Sequence, residues 1–508
     1  MCTKTNVSKL VYKTIAFIRE NYLVIIVIFA ALFLRVFLLD KLPTGIYIDE
    51  AMNGNNAVEA LRNHKFATFY FDNNGREGLF INIQALFIFF LGAKIWVLRF
   101  ASALVGTLTI LGVYLFLKEF LNNKISSVVG LFTSALLAFN FWDLIFSRTG
   151  LRVISGPLVI IYSLYFLARA LNSEVESKRF YLNTVISGLI FGIGVSTYIS
   201  FRSMPLMIIT YFVLLFLIKR IDWKIALKSL LIFGFCSILT ALPMLFHFYR
   251  YPADFWGRTK QVSVFEGTTA AETKRLLARN SLRVFDMFYV HGDGMPRQNF
   301  FEAPAIDRIT QLLIVIGFLG VLANITRNDE LEIRRRILVG FSLVGMFLGV
   351  LPAILTVDSS SLALRSFLAI TFVFTLAGIG FSYLYEKLFK YKIVNILLIV
   401  YGFMLFVTVY NQYFVVWAND KNAQELYYLD GNRAAEKINS LPRDVRKYVI
   451  SEKGGMVRGV PTTAQPTMFL TDTFDLDKRK QKNVIYTDTL TQEMQNDKEG
   501  VILFITNK

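Results

Sequence analysis

Apolar runs recur from one end of the chain to the other, separated by short polar segments. A run of about 20 such residues crosses the hydrocarbon core of a bilayer as a helix. The pattern predicts about eleven spans, at residues 21–39, 99–117, 126–146, 152–171, 182–200, 203–218, 225–246, 308–326, 337–356, 363–384 and 393–412. One more apolar run, Leu79 to Leu91, carries Asn82 and Gln84 and is too short to cross, so it suits a helix at the interface.

Charge placement tests that choice. With the short run left out of the count, the basic loops Lys118–Lys124, Lys178–Arg179, Lys219–Lys228, Arg327–Arg336 and Lys387–Lys392 all share the side of an N-terminus carrying Lys4, Lys9, Lys13 and Arg19. Cytoplasmic loops collect Lys and Arg, so this side is expected to be inside. Residues 1–20 are then cytoplasmic and residues 21–412 form the multi-pass domain. Its first external loop is 40–98 and its long external loop 247–307. The tail, 413–508, is less apolar. A helical stretch near Gly431–Ser440 and strand-like runs at Lys447–Ser451, Asn483–Thr487 and Val501–Thr506 predict a small external α/β domain. The fold class expected is an all-α polytopic membrane protein with interfacial helices in the first loop and this soluble tail.

Composition agrees. The chain is 508 residues, 55% hydrophobic and 15% aromatic. Its net charge of +17 does not indicate nucleic acid, because the cations lie mostly between spans. Cys2 and Cys236 are too differently placed to pair, and no Cys/His metal cluster is present. No cleavage signal follows the first run, which reads as a retained anchor. No internal repeat of the transporter kind is visible.

Chemistry concentrates in the first external loop. Asp49 and Glu50 are adjacent, and Asp49 reads as the N-cap of a helix running from Glu50 to Asn63. Neighbouring helix positions point about 100° apart, so one carboxylate of the two can face a given site. A carboxylate there suits a general base or a divalent-cation ligand as well as a cap. Arg76 and Glu77 precede the short apolar run, where an Arg can grip a lipid-linked phosphate or anchor the interface. Arg148, Arg152, Arg202 and Arg365 each sit at an external span end, against the usual bias. A shared anionic ligand would account for them; snorkelling would account for any one. The loop from His291 to Asp307 offers His291, Asp293 and Asn299 as further substrate or metal contacts.

Several stretches, in order, resemble one family: IYIDEAMNG, FYFDNNGREGLFINIQAL, VLRFASALVGTLTILGVYLF, FSRTGLRVISGPL, STYISFRSMPL, GDGMPRQNFFEAPAID and LPAILTVDSSSLALRSFLAI. Together they cover about residues 20–385 and resemble the bacterial and archaeal protein O-mannosyltransferase-like glycosyltransferases, of the family 39 type with the GT-C fold. The resemblance implies transfer of a sugar from a polyprenyl-phosphate donor to a lipid, glycan or protein acceptor on the outer face. It implies Asp49 as catalytic base and Arg76 as a donor-phosphate contact. Arg76-Glu77-Gly78-Leu79 departs from the Lys-Pro-Pro-Leu of the lipid-A aminoarabinose branch, and Arg297-Gln298-Asn299 from a frequent Arg-His-Asn. Nothing in the sequence requires a cofactor, and a divalent metal (Mg or Mn) is left open. The rival readings are a carrier of lipid-linked sugars and an inactive scaffold. Charges gathered at external span ends, and not at the bilayer midplane, favour surface chemistry.

Overall fold

The computed structural model describes residues 21–358, 361–451 and 455–505. The expectations for residues 1–20 and for Thr506 lie outside these residues. The first apolar run forms α1, Asn21–Val36. The first loop then folds as α2 (Ile48–Asn63), a two-residue antiparallel hairpin of β1 (Phe69–Tyr70) and β2 (Arg76–Glu77), and the short helix α3 (Leu79–Leu91). The long helix α4 follows at Ile95–Leu121.

The run expected as one span at 126–146 is broken. α5 (Ser126–Ala138) and α6 (Phe141–Ser147) meet at an angle of 66°. The cause is Asn140, which is extended and accepts a hydrogen bond from the Asp143 amide, so it caps a new helix. Its own amide group donates 2.9 Å to the Ala305 carbonyl, which fixes the break against the long loop. The remaining helices of this part are α7 (Ser155–Leu171), α8 (Lys178–Ile193), α9 (Pro205–Leu217), α10 (Trp223–Arg250), α11 (Pro252–Val262), α12 (Ala270–Tyr289), α13 (Arg308–Ala323), α14 (Glu330–Ile354), α15 (Leu362–Arg365), α16 (Ile370–Leu388) and α17 (Lys392–Tyr410).

Among the described residues eight helical segments are long and apolar enough to cross a membrane, or nine if the bent α5–α6 pair is one span; α1, α3 and α13 are shorter apolar helices. Burial separates their roles. The segment containing α16 is 94% buried at its apolar core and the one containing α17 only 6%. Gly380 lets α16 meet α13 closely, since a Cβ there would lie 1.8 Å from the Leu313 carbonyl. On α17, Ile396, Leu397, Phe403 and Met404 are exposed, an apolar surface suited to lipid.

The tail holds a parallel three-stranded sheet in the order β6–β3–β7, from β3 (Lys447–Ser451), β6 (Val484–Thr487) and β7 (Val501–Ile505). A small hairpin, β4 (Met456–Val457) and β5 (Val460–Pro461), lies between β3 and β6 in the chain. The flanking helices include α18 (Lys421–Glu425), α19 (Leu429–Ser440) and α20 (Gln465–Thr471). The tail and the first loop interpenetrate. Met52 of α2 joins the core of the tail, and Phe469 of α20 joins the core of the first loop.

Candidate active site around the first loop

The acidic pair is divided by the helix it opens. The N-cap of α2 is Tyr47 and not Asp49, because Glu50 reaches back to the Tyr47 amide (3.4 Å) and the helix starts earlier. Asp49 thus sits inside the first turn. Glu50 turns inward and is fully buried, accepting from Arg99 Nε at 2.8 Å and from the Gly150 amide at 3.0 Å. Arg99, near the start of α4, also donates to the carbonyls of Pro43 (2.8 Å) and Gly45. One buried guanidinium therefore folds the whole 43–50 entry around itself.

Asp49 faces the other way. It is half-buried, and its Oδ1 accepts from the Asn73 amide group at 2.9 Å. Its Oδ2 has no hydrogen-bond partner among the described residues. Asn73 and Asn74 both adopt left-handed backbone (φ 53° and 62°), followed by Gly75 at φ 85°. This tight turn joins β1 to β2 and aims Asn73 at Asp49. Arg76, next in the chain, is buried beneath α2 and donates to Asn53 Oδ1 at 2.7 Å and to Asn56 Oδ1. Asn53 and Asn56 are three apart and so share one helix face. Asn53 also donates 3.0 Å to the Gly150 carbonyl, which ties the Thr149–Gly150 turn to the same helix.

The span-end arginines divide as well. Arg152 and Arg202 come together on Glu77, at 2.5 and 3.8 Å. Arg202 is further stacked on Phe248 and Phe255 and donates to the Phe255 carbonyl. Arg148 is fully buried, donates to the carbonyls of Leu34 (2.6 Å) and Leu42 (3.1 Å), and lies over the rings of Tyr413 and Phe414. Arg365 pairs with Asp358. The four do not share one set of partners.

In the long loop, His291 is exposed while Asp293 is buried. The two oxygens of Asp293 accept from the amides of Met295 (3.0 Å) and Ala363 (2.8 Å), which staples the loop to α15. Burial pushes this carboxyl above the ordinary carboxylate range, against the pull of those two amides. Asn299 donates to the carbonyls of Asp293 and Ala303 and holds the loop in shape. Among the described residues no three His, Cys, Asp or Glu side chains converge as metal ligands.

The residue that sequence reasoning passed over is Arg297. Its guanidinium lies 3.6 Å from the centroid of the Tyr47 ring, two residues before Asp49. Its carbonyl accepts from the Tyr427 hydroxyl at 3.2 Å, but among the described residues no hydrogen bond or ion pair engages the guanidinium. The only signal in the sequence was its place in the quoted loop motif. Arg99 gave a better one, as a lone cation at the head of an apolar run.

No protein-family model matches the chain, and no curated protein matches it in sequence. Solved structures do match in fold. ArnT from Cupriavidus metallidurans, bound to undecaprenyl phosphate, is 13% identical with a TM-score of 0.57, over 89% of this chain and 85% of that one. The archaeal oligosaccharyltransferase AglB from Archaeoglobus fulgidus, in complex with an inhibitory peptide and a dolichol-phosphate, is 14% identical with a TM-score of 0.50 over 85% of this chain. This chain spans 62% of the length of AglB. The fold is the GT-C fold that the sequence resemblance implied.

Proposed function

We propose that this protein is a membrane glycosyltransferase that moves a sugar from a polyprenyl-phosphate carrier to a hydroxyl acceptor on the extracytoplasmic face. The observation that carries it is a half-buried carboxylate, Asp49, whose Oδ2 has no hydrogen-bond partner among the described residues, together with a guanidinium, Arg297, that stacks on the ring of nearby Tyr47 and makes no ion pair among those residues. Asp49 takes the acceptor proton. The acceptor oxygen forms a bond to the anomeric carbon as the carbon–oxygen bond to phosphate breaks, and the polyprenyl phosphate departs with that electron pair. A single displacement of this kind inverts the anomeric centre. Arg297 binds the departing phosphate, and its seat on the Tyr47 ring holds the planar fork in place. Arg76 adds positive charge from beneath α2, and Arg152 and Arg202 orient Glu77 at the rim.

The reading draws support from the carriers in the similar structures, undecaprenyl phosphate in ArnT and a dolichol-phosphate in AglB. Contact between the first loop and the tail agrees with both lying on one side of a cell membrane. The test is incubation of the purified full chain with a panel of polyprenyl-phosphate sugars and acceptors, following release of polyprenyl phosphate. Release should require donor and acceptor and fall about 10²- to 10⁴-fold in Asp49→Asn. Equal release by the two proteins would overturn the assignment.

A further inference from the structure

The hairpin between β3 and β6 ends in an uncommon residue for its turn. Arg458 and Gly459 both have left-handed backbone, φ 51° and 74°, between the paired residues Val457 and Val460. A two-residue turn of this kind prefers Asn or Gly at the first position, because a longer side chain is strained there. The arginine at that point bridges two elements of the first loop. It contacts Glu59 of α2 at 2.6 and 3.0 Å and Asp72 at 2.8 and 3.0 Å, while its guanidinium lies over Phe474. These carboxylates raise its affinity for its proton, so the charge is permanent.

Asp72 is not an ordinary surface acid. Its carboxylate also accepts from Asn56 at 2.9 Å, and its carbonyl accepts from Arg76 Nε at 3.3 Å. Its neighbour Asn73 holds Asp49. A path of direct hydrogen bonds and one peptide link therefore runs from the tail to both the candidate base and Arg76. The turn it crosses has three successive residues at positive φ, so it needs outside contacts to hold one shape.

We infer that Arg458 is a positioning residue: from the tip of a hairpin in the C-terminal domain it holds the Asp72–Gly75 turn, and through Asn73 it sets the orientation of Asp49. The C-terminal domain is then part of the catalytic apparatus and not an appendage. This inference rests on the proposed transfer reaction for its kinetic consequence, but its structural consequence can be read separately. A second clamp serves as control: Arg62 of α2 pairs with Asp472 and Asp475 of the tail and, among the described residues, makes no hydrogen bond or ion pair with the 72–76 turn.

The experiment compares Arg458→Gln, Arg458→Lys and Arg62→Ala in the full-length chain, by amide hydrogen exchange and by donor-dependent transfer. Arg458→Gln should speed exchange at residues 49–56 and 72–76 while β3 and β7 stay protected. It should lower kcat about tenfold to a hundredfold with a small change in donor KM. Arg458→Lys should recover part of that loss, since an ammonium cannot span both carboxylates as a planar fork does. Arg62→Ala should leave the 72–76 turn and kcat near wild type. Unchanged exchange at 72–76 in Arg458→Gln overturns the inference, whether or not transfer is found. Loss of protection in β3 and β7 together with the turn also overturns it, because Arg458 would then serve domain stability. A wild-type chain inactive on every donor defeats the proposed function and leaves the exchange result to decide the positioning role.

Discussion

Arg99 Nε stands 2.8 Å from Glu50 Oε1, and neither side chain has any exposed surface. Removing one partner of such a pair leaves a buried charge uncompensated, at a cost of about 3–5 kcal/mol. Glu50→Ala should therefore lower the unfolding temperature of the purified protein sharply. Asp49→Asn, which keeps an acceptor oxygen for its one part-buried hydrogen bond, should shift stability by no more than about 1 kcal/mol. Thermal melts of the two variants, set beside their transfer rates, should show opposite orders if Glu50 folds the loop and Asp49 serves the proposed reaction.

A similar contrast separates two arginines. Arg297 stacks on Tyr47 and makes no ion pair among the described residues, whereas Arg148 serves two carbonyls and two rings. Loss of a hydrogen bond to a charged group weakens binding by about 1.5–3 kcal/mol, so Arg297→Ala should raise the donor KM about tenfold or more. Arg148→Ala should reduce stability with donor KM unchanged. Steady-state kinetics over a donor titration, with a melt on each variant, checks both.

The first loop and the tail meet backbone to backbone at Gly45. A Cβ at that position would lie 2.0 Å from the Tyr427 carbonyl oxygen, which backbone cannot yield cheaply. Gly45→Ala should push the 43–45 segment off the tail and expose residues near Tyr427–Leu429 to protease. Limited proteolysis with wild type as reference measures this. Unaltered cleavage would mean the contact is dispensable.

Acid should loosen the outer clamp. Burial pushes the Asp475 carboxyl up, but the amides of Lys478 and Asp477 and the charge of Arg62 together hold it below the usual range. A carboxylate with a lowered folded-state pKa stabilises above its unfolded value, about 3.9, and loses that contribution as pH falls through the folded value. Protection factors, corrected for the intrinsic exchange rate at each pH, should therefore be steady at α2 and residues 472–478 from pH 8 to about 5 and fall below about pH 4. Asp475→Asn should show the lower protection already at neutral pH, with little further change on acidification.

The hydrophobic pattern alone determined where the long apolar helices lie, though not α11 and α12 of the long loop, because chain that long and that apolar has few ways to satisfy its backbone in lipid except as helices. The tail strands were legible for the same local reason: the runs expected at Lys447–Ser451 and Asn483–Thr487 carry a strand-like residue choice, and the sheet has strands at Lys447–Ser451 and Val484–Thr487. The break at Asn140 was hidden, because an apolar run reads as continuous until the distant Ala305 carbonyl claims its side chain. The first loop was marked as the place for chemistry by its acids, and the family resemblance pointed to Asp49, but residue type and spacing left open which acid stays accessible. Only the tertiary structure decided that, since Arg99, Gly150, Asn73 and Arg297 reach Asp49 and its neighbours from separate parts of the chain. Residue type and spacing encode local geometry and burial preference. Partners tens or hundreds of positions apart are chosen by packing, and here packing turned two adjacent carboxylates into one buried ion pair and one candidate base.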